Sequence, residues 1–138
     1  MIIFRFIISI LGFIYVSSMA SEYIAVVQMK SSKYVVVDGV VNIWAVYSGV
    51  FILAYLIFYY FNSFKNKEPS SKQLNYAVLV SVLLIGPLFT LATYKMINSN
   101  LDNYVKCDSL NHWSSRYSSS TYAISNDICL NLVSDKNK

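Results

Sequence analysis

Val40-Val-Asn-Ile-Trp-Ala-Val-Tyr-Ser-Gly-Val-Phe-Ile-Leu-Ala-Tyr-Leu-Ile-Phe-Tyr-Tyr-Phe61 contains no charged residue. A hydrocarbon layer about 30 Å thick is crossed by roughly 20 apolar residues in an α-helix, and this stretch meets that requirement. Two further runs frame it. Ala77 to Ile97 is interrupted only by Lys95, close enough to its end to snorkel. Phe6 to Ala20 is shorter, but Ile2, Ile3 and Phe4 extend it across Arg5. The composition agrees, with 56% hydrophobic and 13% charged residues, about half the charge that a water-facing surface carries. We expect an all-α membrane protein with three transmembrane helices. The segments are 1–20 (helix 1, a possible signal anchor), 21–39 (outer loop), 40–61 (helix 2), 62–76 (inner loop), 77–97 (helix 3) and 98–138 (tail).

The first run has a rival reading as a cleaved signal peptide, since Ser18-Met19-Ala20 offers small residues at its end. Either way, the residues after Ala20 fall on one side. The net charge of +4 is distributed as a topology signal. Arg5 and the inner loop, with Lys65, Lys67 and Lys72 against Glu68, carry most of the excess, while the outer loop and the tail are each neutral. Short loops rich in Lys and Arg stay in the cytoplasm. The expected location is therefore a bacterial inner membrane, multi-pass, with the N-terminus cytoplasmic and the tail periplasmic.

Both cysteines, Cys107 and Cys129, fall in the tail. Disulfides persist in an oxidising compartment such as the periplasm, so the pair reads as a disulfide rather than as two free thiols. Closing a loop of that size stabilises by roughly 3 kcal/mol on chain-entropy grounds. In the outer loop, Glu22-Tyr-Ile-Ala-Val-Val-Gln-Met29 and Lys33-Tyr-Val-Val-Val-Asp-Gly39 flank a polar cluster. That pattern predicts a small extracytoplasmic β-hairpin, with Asp38-Gly39 as the bend into helix 2. The alternative is that Tyr23 to Gln28 continues helix 1. Thr121 to Ile124 reads as a piece able to add a strand, and Ser134 to Lys138 as a frayed end.

Chemistry inside a bilayer needs ionisable groups there. The helix interiors supply only Ser9, Ser48, Ser81, Thr90 and Thr93, with Asn42 near an end. His112 is the one histidine, and a metal site from Cys107, His112 and Cys129 lacks any supporting spacing. No CxxC, phosphate loop or nucleophile elbow occurs, and no basic patch is interleaved with aromatics. The expectation is a protein that is not an enzyme and has no catalytic residue, cofactor, metal, nucleic-acid partner or small-molecule substrate.

Small residues mark helix seams: Ser9, Gly12, Val16 and Ala20 in helix 1, Ala45 and Gly49 in helix 2. They fit internal packing or a membrane partner, and internal packing alone explains them. Pro87 cannot donate to the Leu83 carbonyl, so Gly86-Pro87 should kink helix 3. Tyr55, Phe58, Tyr59, Tyr60 and Phe61 read as an interfacial belt. In the tail, Tyr104, Trp113, Arg116, Tyr117 and Tyr122 are of the residue types that dominate interface hot spots, and they are the candidate partner-binding set. Packing, or rest at the lipid headgroups, is the equal alternative.

On Tyr104-Val-Lys-Cys107, the polar stretch after it, Thr121-Tyr-Ala123 and Cys129, the chain resembles a poorly characterised family of small enterobacterial inner-membrane proteins. Their tails carry Tyr-x-x-Cys, Thr-Tyr and a final Cys. The resemblance covers the whole chain in layout and residues 104–129 in motif. Where that family often has Pro after its first Cys, Asp108 stands here. Similar small membrane proteins serve as immunity proteins against membrane-active toxins, of the colicin or type VI secretion kind. The resemblance implies a toxin-binding immunity protein, with the lipid bilayer and a protein effector as partners. The competing reading is a non-catalytic accessory subunit of a larger membrane complex; a holin-like lysis protein is weaker, since it has no use for a braced tail.

Overall fold

Each apolar run forms a helix that outlasts the run itself. A computed structural model describes residues 2–28, 32–65, 70–114 and 117–136. Helix α1 spans Ile2–Gln28, α2 spans Val40–Phe64 and α3 spans Ser71–Asn100. All three are long and apolar enough to cross a membrane. The third starts six residues before its apolar run because Ser70 caps it, its hydroxyl accepting from the Lys72 amide at 3.3 Å.

The hairpin expected over residues 21–39 does not form. Tyr23 to Gln28 belongs to α1, the alternative weighed above. These residues suit either conformation, and their tertiary contacts decide for helix. Tyr23 is buried against Ile43 and Tyr47 of α2, while Val26 and Val27 lie beneath strand β1 (Tyr34–Asp38). Strand β1 instead finds its partner in the tail.

The tail contributes β2 (Val105–Lys106), a 3₁₀ turn (Asp108–Leu110), β3 (His112–Trp113), β4 (Ser118–Ala123) and helix α4 (Asn126–Lys136). Strand β4 is central: it pairs antiparallel with β1 on one side and with β2 and β3 on the other. The register sets Val35 opposite Tyr122 and Val37 opposite Ser120. Alternation then places these residues on one face of the sheet. That face lies on the helix ends, where Val35, Val37 and Ile97 form a buried cluster with Val26, Tyr94 and Tyr104.

The opposite face is closed by the disulfide. Cys107 and Cys129 are joined, with Cα atoms 5.6 Å apart, and they bury Ala123 together with Leu110 and Ile128. The bond pins α4 over the sheet, giving three layers: helix ends, sheet, and α4 with the 3₁₀ turn. Of Ser134 to Lys138, expected to fray, Ser134 to Lys136 are the last turn of α4, and residues 137 and 138 lie outside the described residues. Asp127 in its first turn complements the helix dipole.

The helix seams pack internally. A Cβ added at Gly12 would meet the Leu53 side chain at 3.5 Å, and one added at Gly49 would meet Val16 at 3.4 Å. On the other side of α2, Gly86 allows α3 to close on Ser48 and Trp44, and a Cβ there would strike the Ser48 hydroxyl. The kink expected at Gly86-Pro87 takes the form of a π turn over Ser81–Ile85, closed by the Gly86 amide bonding to the Ser81 carbonyl. Continuing that register assigns the next donor, residue 87, to the Val82 carbonyl rather than to Leu83. Pro87 has no N–H. Trp44 supplies the missing donor, its indole Nε1 lying 2.9 Å from the Val82 oxygen.

Candidate functional site

The end of the bundle that carries the sheet concentrates the polar chemistry. Its centre is Asp38, the last residue of β1, one position ahead of the α2 cap Gly39. Tyr23 of α1 donates its phenol to Asp38 Oδ2 at 2.9 Å, and Tyr117 of the tail donates to Oδ1 at 2.6 Å. One carboxylate thus ties together the first helix, the β1–α2 junction and the tail. Charge-assisted bonds of this kind are the strong ones, and the positive end of α2 beside them favours the charge. The bond to Asp38 holds the Tyr117 phenol above the ordinary tyrosine range, and partial burial and the carboxylate's charge add to it.

Strand β4 comes unusually close to this junction. The Ser118 carbonyl accepts from the Gly39 amide at 2.7 Å and from Asn42 Nδ2 at 3.2 Å. Gly39 is extended, with φ −64° and ψ 154°, so its backbone makes no special demand. Glycine is required by space: a Cβ at this position would run into the Ser118 side chain.

Of the candidate partner-binding residues, Tyr104 and Tyr122 are half-buried in the cluster under the sheet. Tyr104 also donates to the Ser32 carbonyl at 2.9 Å. Tyr117 is 42% exposed, its ring 5.8 Å from that of His112. Trp113 is 88% exposed and pairs with Ser118; this register puts it on the helix-facing side of the sheet, where it lines a cleft with Val40 and Val41. Arg116 lies outside the described residues. The set is therefore divided: two residues brace the sheet, Tyr117 completes the Asp38 bridge, and Trp113 faces the level of the helix ends. His112 and the two cysteines do not form a metal site, because both sulfurs are committed to the disulfide.

Sequence reasoning missed two exposed residues, Tyr34 (49%) and Val36 (44%) of β1. Lys33 and Gly39 bond to β4 at the two ends of β1, through the Ile124 amide and the Ser118 carbonyl. By strand alternation, the backbone groups of Tyr34, Val36 and Asp38 point the other way. Among the described residues no strand pairs with that edge. The β-branched run Tyr34-Val-Val-Val-Asp38 signalled a strand, but nothing local says which face would be buried or which edge β4 would take.

The cleft beneath the sheet has a volume of about 370 Å³ and is lined by Asp38, Lys106, His112, Trp113, Tyr94 and the start of α2, among others. No protein-family model, curated protein or solved structure matches the chain.

Proposed function

We propose that the protein is a multi-pass protein of the bacterial inner membrane that acts by binding, as an immunity protein neutralising a membrane-active, pore-forming toxin. In this reading the sheet end is periplasmic, and the N-terminus and the connection between α2 and α3 are cytoplasmic. Two independent features support that orientation. Lys65 and Lys72 flank the connection at the far end of the bundle. The Cys107–Cys129 bond sits at the sheet end, and such bonds persist in an oxidising compartment.

The observation that carries the binding function is the open edge of β1. An unpaired strand edge is a template for another chain, and extended peptides add to such edges through main-chain bonds, with exposed side chains giving selectivity. Here the edge presents Tyr34 and Val36, and it is held rigidly by β4 on one side and by the Asp38 bridge at its end. Tyr117, exposed beside Asp38, extends the surface. No step of bond making or breaking is assigned to it.

The test is a sibling competition. Deleting the gene from a strain whose siblings deliver the cognate membrane-active effector should cost it membrane potential under attack. Val36→Lys puts a charge on the edge and should sensitise cells at unchanged membrane level, by roughly the thirtyfold affinity that a 2 kcal/mol anchor represents. Unaltered survival of the deletion strain would reject the immunity reading in favour of an accessory subunit.

A further inference from the structure

The cleft under the sheet does not end at the helix tips. Val40 and Val41, which form part of its lining, also line a second groove of about 320 Å³. That groove runs down between α2 and α3, and its remaining walls are Trp44, Pro87, Thr90 and Leu91. The upper compartment sets a few polar groups among mainly apolar walls, the lower one is almost wholly apolar, and the first turn of α2 lines both.

Each compartment has a definite chemistry. Among the described residues the lining of the upper one carries one cation, Lys106, whose Nζ also lies 3.9 Å from Asp108 Oδ1, and one anion, Asp38. Asp38 already accepts from two phenols, but a carboxylate offers about four lone-pair sites. The first-turn amides of α2 have no side-chain cap, and the amides of a helix start attract phosphate. The lower compartment has walls suited to hydrocarbon: Val41 and Leu91 are exposed on helices of membrane-spanning length. A ligand complementary to both carries an apolar chain, a phosphate and a terminal cation, joined in that order.

We propose that this two-part cleft is a binding site for one phospholipid with a zwitterionic amine headgroup, of the phosphatidylethanolamine class. The phosphate lies between Lys106 and the start of α2, the ammonium lies toward Asp38, and one acyl chain occupies the groove at Trp44 and Pro87. A purely anionic headgroup leaves Asp38 facing like charge. A quaternary amine cannot donate a hydrogen bond to a carboxylate. The site rests on the membrane placement proposed above, and the assay separates the two.

Both tryptophans of the chain line the cleft, Trp113 above and Trp44 below. With Trp113→Phe, the emission of the reconstituted full-length protein reports on Trp44 alone. Lipid brominated in its acyl chains is titrated into phosphatidylcholine bilayers. Brominated phosphatidylethanolamine should reach half-maximal quenching at about a fivefold lower mole fraction than brominated phosphatidylcholine or phosphatidylglycerol, a preference of about 1 kcal/mol. Lys106→Gln, at an exposed position, should bring the curves together. Superimposable curves for the three lipids, or a preference for phosphatidylglycerol, would overturn the site while leaving the membrane placement standing. Absence of quenching by any of them would overturn the placement itself.

Discussion

Tyr23→Phe removes one oxygen from the centre of the fold and little else. The ring stays buried against Ile43 and Tyr47, and the change deletes the 2.9 Å bond from the phenol to Asp38 Oδ2. A hydrogen bond to a charged group contributes about 1.5–3 kcal/mol, so unfolding should become roughly ten- to hundredfold more favourable. Tyr117→Phe deletes the companion bond at a site 42% open to solvent. Its cost should stay below about 1 kcal/mol, because water replaces the lost donor. The two bonds share one carboxylate, so a cycle with Asp38→Asn should show coupling above about 0.5 kcal/mol for Tyr23, beyond the additivity expected of independent sites. Denaturant titration in mixed micelles, followed by circular dichroism, reads the parent and every variant. Equal costs for the two tyrosines, or additivity within that margin, would refute the claim that Asp38 joins α1 to the β1–α2 junction.

Gly39→Ala should weaken the packing of β4 on the α2 start by about 1–3 kcal/mol, since its Cβ meets Ser118; a second change, Ser118→Gly, should recover much of the loss in the same titration. Trp44→Phe leaves the Val82 carbonyl without its donor beside Pro87, and interhelical bonds of this kind in membranes are worth about 0.6–1.7 kcal/mol; an unchanged midpoint would mean that the π turn is satisfied otherwise. The Tyr117 phenol is raised above its unfolded value by Asp38. Its contribution to stability is therefore complete below about pH 10 and is lost as pH climbs through the folded value. The phenolate absorbance of the parent minus that of Tyr117→Phe should rise later than for free tyrosine.

The three long apolar helices were legible because runs with so few charges need no partner to declare themselves: Val40 to Phe61, with no charge at all, reads the same in any context. The disulfide was legible because two cysteines sit in one segment and allow one pairing. Tyr23 to Gln28 was not, since Tyr-Ile-Ala-Val-Val suits a strand or a helix and the choice is made by Ile43, Asp38 and Val35, far along the chain. Helix α4 hid in a Ser- and Asn-rich tail, although its inward stripe of Ile128, Cys129, Leu132 and Val133 has helical spacing. At the candidate site, Tyr117 and Trp113 stood out by residue type. Their division between the Asp38 bridge and the cleft depends on the β3–β4 register, which no local pattern specifies. Gly86-Pro87 announced a break in α3, but the donor that repairs it lies on another helix.

The measurement that bears most directly on the account is a pair of alkaline phosphatase fusions, since the enzyme folds only where its own disulfides form. Joined after Lys138, beyond the Cys107–Cys129 cap, it should be active; joined at Glu68, between α2 and α3, it should be inactive. The reverse pattern would put the disulfide-closed cap and the β1 edge in the cytoplasm, out of reach of any toxin arriving from outside, and would contradict the account.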